Sequence, residues 1–331
     1  MMNFTKLPGT NMVETFCIIK SCEKKQTSKG SPYLDLLLYD TAGEIAAKLW
    51  DYNEDCHGIF AVDDFVKVRG ILSLYNGVEQ LRIEKIRKIN DEDNIRIEDF
   101  VPSAEYRGED MLEELFAAIS TFEDPELAKI ATAILNEYKE KLLYWPAAYK
   151  LHHAIRGGLL YHTLTIVRLA ESICKVYSFV DRDLLIAGAI LHDIAKVEEF
   201  EITGTGLAAG YSTEGNLLGH IVKGVLNLEK LAEQLGTPRE TLMLLQHMIL
   251  SHHGQPEYGA AVFPMFIEAE LLSQLDLMDA RMYEMAKALE TTEIGDFSPR
   301  QWALDNRRLY NHGRKKIKAK ANLLEADPDS G

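Results

Sequence analysis

Two hydrophobic periods divide this sequence, and no single layered architecture accommodates both. Up to about residue 90, apolar residues recur at every second position; from about Glu109 they recur at every third or fourth. Phe16 to Lys20 is apolar and partly β-branched, and Tyr33 to Tyr39 is an apolar run ending in the turn signal Asp40-Thr41-Ala42-Gly43. Ile45, Ala47 and Leu49 alternate with Ala46, Lys48 and Trp50, as a half-buried strand requires. Phe65, Val66, Val68, Ile71 and Leu72 read as a fourth strand. Asn76-Gly77 reads as a hairpin turn, and Leu81, Ile83 and Ile86 as the strand returning from it. Residues 52–61 leave room for a short helix.

In the second period, Met111, Leu112, Leu115, Phe116 and Ile119 make one helical stripe and Leu127, Ile130, Ala131, Ile134 and Leu135 another. Asp124-Pro125 opens that second helix as a cap followed by a first-turn proline. The pattern predicts helix nearly throughout to Leu323, with a frayed tail at 324–331. A chain of 331 residues favours two domains. The boundary falls in 91–106, an acidic stretch with one proline that reads as a linker between a 1–90 domain and a 107–323 domain. The N-terminus lacks the pattern of a secretion signal and no apolar run reaches the ~20 residues of a membrane span, so no membrane role is expected. Cys17, Cys22, Cys56 and Cys174 form no CxxC pair; reduced thiols and a cytoplasmic location follow. A formal charge of −15 argues against a generally basic surface. One basic cluster runs from Arg300 to Lys320 against the single acid Asp305, and reads equally as a solvated helical face or as a phosphate-backbone contact.

Five strands with a helix between the third and fourth is the layout of an OB barrel. The stretches YLDLLLYDTAGEIAAKLW and DFVKVRGILSLYNGVEQLRI resemble an OB-fold of the nucleic-acid-binding type across most of residues 12–90. Barrels of that type stack bases on aromatics and follow the backbone with cations. The candidates here are Tyr33, Lys48, Trp50, Tyr75 and Arg82. Each also has an ordinary role open to it, since barrel aromatics usually pack and strand lysines usually face water.

Six of the ten histidines, His162, His192, His220, His247, His252 and His253, fall in a stretch that alternates helices and short loops. His192-Asp193 closes the run LLIAGAILHDIAK. A charged Asp193 among Leu184, Leu185, Ile186, Ile190, Leu191 and Ile194 needs a compensating partner, and a metal ion supplies one. Imidazole and carboxylate suit Zn, Mn, Fe or Ni, so residue type alone does not choose the ion.

At these residues the chain resembles the HD phosphohydrolase superfamily, whose pattern H…HD…H…H…D is carried on a helical bundle. His162 in GGLLYHTLTI, His192 and Asp193 in AILHDIAK, and Asp276 in LLSQLDLMDAR match the first metal set. His220 in NLLGHI and His252 and His253 in ILSHHG match the positions that hold a second ion. Taken singly, each has a plainer explanation: a satisfied core histidine, a helix cap, or an Asp276–Arg281 pair. Six such explanations in this order are less economical than one metal site. His247 matches no position and reads as structural, and Asp279 as a neighbour of the site.

A closer resemblance covers nearly the whole chain. An OB-fold followed by an HD domain is similar to the YhaM-type 3′-5′ exoribonucleases, as are WPAAYKLHHAIRGGLLYHTL and SHHGQPEYGA with EAELLSQLDLMDARM. The resemblance implies a multidomain α+β protein, an N-terminal five-stranded OB β-barrel followed by an all-α HD bundle. It implies one or two divalent ions (Mn first; Fe, Ni, Co, Zn or Mg also suitable) and hydrolysis of single-stranded RNA or DNA to nucleoside 5′-monophosphates by metal-activated water. Asp193 and Lys196 are the catalytic expectations; Lys196, four residues after His192, is placed on the same helix face, where it either reaches a phosphate oxygen or answers the helix dipole. His152 and His153 match a histidine pair beside the scissile phosphate, or are two polar residues at a helix end. Ser273 departs from the family, whose members often carry histidine there. A hydrolase of small nucleotides or cyclic phosphodiesters, and a non-catalytic single-strand-binding protein, are the alternatives; a homo-oligomer is compatible with each.

Overall fold

The structure is a computed structural model that describes residues 4–6, 12–321 and 323. The frayed tail expected at 324–331 lies outside the described residues. The chain divides into two compact units, the first ending at Ser103 and the second beginning at Ala104.

In the first unit β1 (Thr5–Lys6) pairs with β2 (Met12–Gln26), followed by β3 (Pro32–Asp40), β4 (Gly43–Trp50), a short helix α1 (Glu54–His57), β5 (Phe65–Tyr75) and β6 (Val78–Lys88). The order β2-β3-β4-β6-β5, with β5 pairing back onto β2, closes a five-stranded barrel. β4 and β6 run parallel and the other pairs antiparallel. Alternation does what the sequence requires: Leu34, Leu36, Leu38, Ile45, Ala47, Leu49, Val66 and Val68 point inward. Asn76 and Gly77 have φ of 52° and 80°, the pair of positive values that a two-residue hairpin needs. Residues 91–103, read from sequence as part of a linker, stay with the barrel. They form 3₁₀ turns at Asp91–Asp93 and Ile97–Asp99, and Phe100 meets Phe65 edge-on at 4.8 Å.

The second unit contains α2 (Gly108–Ser120), α3 (Pro125–Leu142), α4 (Gly158–Val176), α5 (Arg182–Leu191), the single turn α6 (Lys196–Glu199), the hairpin β7 (Phe200–Ile202) and β8 (Ala208–Tyr211), then α7 (Thr213–Leu235), α8 (Arg239–Ser251) and α9 (Ile267–Glu290). Asp124 caps α3 by accepting from the Glu126 and Leu127 N–H groups, with Pro125 in the first turn. α4 and α5 form the centre. Residues 158–167 and 183–191 are buried without interruption, so α5 and the first half of α4 have almost no solvent face, while α4 is exposed at Arg168, Ser172, Lys175 and Val176. Two buried hydroxyls on α4 are satisfied within the helix, Thr163 donating to the Leu159 carbonyl and Thr165 to that of Tyr161, each at 2.9 Å. No described helix is long and apolar enough to cross a membrane.

Two expectations for this half are corrected. The β7–β8 hairpin interrupts the helices. Residues 291–321 are not helical: they hold a 3₁₀ turn at Trp302–Leu304 and two isolated bridges, Phe297 with Tyr310 and Gln301 with Arg307. Pro299 and the positive φ of Gly295, Asp305, Asn306 and Gly313 forbid a continuous helix there.

Gly70 sits at a register shift between β5 and β6, where a Cβ would lie 2.2 Å from the Arg82 carbonyl oxygen. Gly70→Ala is expected to destabilise the barrel by about 1–3 kcal/mol, because backbone has to move to admit the methyl. A urea titration followed by barrel tryptophan fluorescence measures this; an unchanged midpoint would refute the close approach.

Candidate metal centre

The centre is assembled from four helices and two turns. His162 lies within α4, and α5 ends at Leu191 so that His192 and Asp193 occupy the turn before α6. Lys196 therefore opens a new helical turn and does not continue the face of His192 as expected; it reaches the carboxylate of Asp193, with Nζ to Oδ2 at 2.6 Å. The Trp145 indole donates to the Lys196 carbonyl at 2.9 Å, tying the segment before α4 to this turn. His220 lies one residue beyond Gly219, whose φ of 66° and ψ of 168° break α7. His252 and His253 follow the end of α8, and Asp276 projects from α9.

Ligands about 2.0–2.2 Å from a common ion lie about 3.0–3.5 Å from one another. His162 Nε2 is 3.2 Å from Asp276 Oδ1, 3.4 Å from His192 Nε2 and 3.6 Å from Asp193 Oδ2, and His192 Nε2 is 3.4 Å from that same oxygen. On the other side Asp193 Oδ1 is 3.4 Å from His220 Nε2 and 3.6 Å from His252 Nε2. His253 is adjacent, its ring centroid 4.2 Å from that of His252 and 5.4 Å from that of His220. Asp193 thus offers one oxygen to each of two donor groups.

A divalent cation fits both groups. Asp193 Oδ1, His220 Nε2, His252 Nε2 and His253 Nδ1 are buried without a hydrogen-bond partner among the described residues. Such orphaned atoms are costly in a fold and natural around an ion. Burial disfavours charge on His252 and lowers its pKa, and pushes that of His253 down to about 3, so both rings are in the neutral form that ligates. Burial also opposes a charge on His162, yet Asp276 and Asp279 outweigh it and push its pKa up to about 10; a cation at Nε2 competes with that proton. Burial likewise works against the Asp193 carboxylate, but Lys196 and His192 hold it well below the usual carboxylate range.

The second nitrogen is fixed in four of the rings, those of His192, His252, His162 and His220. His192 Nδ1 meets the Ala189 carbonyl at 2.8 Å and His252 Nδ1 the Ile249 carbonyl at 2.7 Å, each three residues back at a helix end. His162 Nδ1 meets Asp279 Oδ2 at 2.7 Å, and His220 Nδ1 meets Glu199 Oε2 at 3.0 Å. Glu199 also accepts from the His220 backbone N–H at 3.3 Å. The sequence reading missed Glu199; a buried carboxylate at the last position of α6, immediately before Phe200, carried no spacing signal.

Other expected residues are placed as follows. His153 is buried, with Nε2 2.8 Å from Asp279 Oδ2 and its ring against Tyr283. His152 stands with its ring centroid 5.8 Å from that of His162. Asp276 faces His162, while Arg281 pairs with Asp305. Ser273 is buried with its Oγ against Gly254 in the turn after His253. His247 accepts from the Met265 N–H at 3.0 Å. In the barrel, Tyr33 and Trp50 are cross-strand partners with ring centroids 4.7 Å apart, and Lys48 Nζ lies 4.9 Å from the Tyr33 ring centroid. Arg82 is beside Lys48 on the neighbouring strand, and Tyr75 is exposed at the hairpin tip.

Comparison with known proteins followed. The HD domain family model matches residues 159–281, and the TraI_2 family model matches residues 102–183. The 3′-5′ exoribonuclease YhaM of Geobacillus sp. (strain WCH70) is 40% identical over 298 residues, covering 90% of this chain and 91% of that protein. That of Bacillus subtilis (strain 168) is 39% identical over 298 residues, covering 90% and 94%, and that of Listeria innocua serovar 6a is 40% identical over 299 residues, covering 90% and 95%. Among solved structures, PriB from Ralstonia solanacearum covers 25% of this chain and 100% of its own at 15% identity, with a TM-score of 0.22.

Two variants test the centre. Asp193→Ala would leave Lys196 buried and unpaired, a loss of about 3–5 kcal/mol, so Asp193→Asn is the cleaner change. It is expected to abolish turnover with the circular dichroism spectrum unchanged; wild-type turnover would refute the shared-carboxylate geometry. Glu199→Gln is expected to weaken Mn²⁺ binding about 10–100-fold, read by calorimetric titration of stripped protein; unaltered affinity would show that Glu199 does not orient His220.

Proposed function

The chain belongs to the family of the 3′-5′ exoribonuclease YhaM, and from that membership we propose that it removes nucleotides from the 3′ end of single-stranded RNA, releasing nucleoside 5′-monophosphates. One observation carries the reading: Asp193 presents its two oxygens to two separate buried imidazole groups, and on the Oδ1 side the oxygen and the rings of His220, His252 and His253 each have a buried atom without a hydrogen-bond partner among the described residues. His162, His192, Asp193 and Asp276 would hold one divalent ion, and Asp193, His220, His252 and His253 a second, with Mn²⁺ the proposed occupant. Such ions acidify a water and stabilise charge on the attacking and leaving oxygens of an in-line displacement at phosphorus.

The chain's own residues do the rest. Lys196 keeps Asp193 ionised and oriented, and its remaining ammonium hydrogens give a non-bridging phosphate oxygen a fixed positive charge. Asp279 and Glu199 lock the rings of His162 and His220, so that Nε2 of each faces the centre without reorganisation. His152, beside His162 and pushed down to a pKa of about 3 by burial first and by His162 next, is neutral and able to donate or accept at the phosphate. In the barrel, the Tyr33–Trp50 pair offers stacking faces and Lys48 a cation, the two elements of sequence-tolerant single-strand binding. The four cysteines are free thiols, in keeping with a reducing cytoplasm.

The experiment uses stripped protein with single-stranded RNA labelled at either end. On adding Mn²⁺, a 3′ label is expected to leave at once as mononucleotide while a 5′-labelled strand shortens stepwise. RNA left intact alongside Mn²⁺-dependent hydrolysis of a small phosphodiester would keep the centre and replace the substrate.

A further inference from the structure

We propose that the barrel holds a second contact for the phosphate backbone of a single strand, a cationic groove on β5 and β6 separate in sequence from the Tyr33–Lys48–Trp50 cluster. The proposal rests on the reading above of the substrate as a single-stranded polyanion.

Cross-strand register sets Lys67 opposite Arg87 and Arg69 opposite Lys85. All four side chains leave the outer face, since Val66, Val68 and Ile86 between them point into the core. Like charges directly opposite one another weaken a sheet, so two adjacent pairs are a local conflict that folding alone does not explain. The neighbouring acids relieve half of it. Glu14 meets Lys67 at 2.8 Å, and Asp93 takes Arg87 through two bonds of 2.6 and 2.7 Å. Among the described residues Arg69 and Lys85 have no carboxylate at ion-pair distance. Arg69 donates to the Met12 sulfur at 3.2 Å, and Glu84, the acid next to Lys85, is turned to Arg82 at 3.3 Å.

These four cations line a groove of about 470 Å³ together with two acids, Glu14 and Glu84, and with Cys56 and His57 at the end of α1. Positions two apart on one strand are about 6.6 Å apart. The groove therefore presents one uncompensated pair, Arg69 and Lys85, with the acid-paired Lys67 and Arg87 one such step along each strand, a spacing suited to phosphates along a chain. The arginines add the planar fork that meets phosphate through paired bonds. In a protein of formal charge −15, such a surface does not follow from composition.

The test uses the full chain without metal, so that the strand survives, and a single-stranded RNA longer than about 16 nucleotides, the upper site size of one OB barrel. Binding is followed by anisotropy between about 50 and 200 mM salt. Arg69→Gln with Lys85→Gln is expected to weaken binding and to lower the slope of log K against log salt by about 1.4, since each lost phosphate contact removes about 0.7. Lys85→Gln alone is expected to lower it by about 0.7, which keeps the test usable if the double variant unfolds. An unchanged slope in a variant with a wild-type urea midpoint overturns the groove. So does a loss of polyglutamate binding with RNA binding intact, which assigns the surface to an acidic peptide. RNA that wild-type protein binds but does not degrade with Mn²⁺ would instead count against the exoribonuclease reading and leave the groove standing.

Discussion

A carboxylate in an apolar interior is the constraint around which the helical unit is built. Asp193 follows a helix whose residues 183–191 are all buried, and it is itself 2% exposed. Removing such a charge from water costs several kcal/mol unless partners replace the solvent. The chain supplies one cation, Lys196, to Oδ2, and then places four imidazoles around both oxygens. Helix α5 has to stop at Leu191 for this to happen, because a continued helix would carry Asp193 past the donors on α4, α7 and α8.

The imidazoles are oriented by two different devices, and their position in a helix decides which. His192 and His252 stand at helix C-termini, where the last carbonyls lack intrahelical donors. Each turns Nδ1 back to the carbonyl three residues earlier, at Ala189 and Ile249. Orientation there is local and requires no other element. His162 and His220 lie inside helices whose carbonyls are committed. They take carboxylates from afar, Asp279 from 117 residues on and Glu199 from 21 residues back. The break at Gly219 serves the second case, since it frees the His220 N–H to meet Glu199 as well.

This division explains what could be read without a structure. The strands were legible because a half-buried barrel wall forces a period of two, whereas the candidate ligand set came from the resemblance of its H…HD…H…H…D order to the HD superfamily. Gly70 was not legible as a point of close backbone approach, since the register shift beside it is a property of the pair β5–β6. Glu199 was not, because its partner is fixed by tertiary packing. The hairpin at Phe200–Tyr211 escaped notice because strands of three and four residues show no measurable period. Lys196 was placed on a continuing helix because propensity favours one through HDIAK; the demand of Asp193 for partners overrides it. Residues 291–321 read as mostly helix with loops at Gly and Pro, but Pro299, Gly295, Gly313 and the positive φ of Asp305 and Asn306 leave no helical stretch between those loops beyond the 3₁₀ turn at Trp302–Leu304.

Charge at the centre also determines when a polyanion can approach it. Asp193, Asp276, Asp279 and Glu199 stand against the ammonium of Lys196, within a chain of formal charge −15. Left to these groups, the site repels phosphate. Divalent cations held there would reverse the local sign, so the donors that would hold ions would also make substrate binding conditional on them. A surface cation cannot do this at the centre, because its field is screened within about 8–10 Å in physiological salt. Under the proposed function, the buried aspartates and histidines would hold the ions that supply positive charge where the phosphodiester is cut, a task that exposed lysine and arginine cannot perform in a buried site.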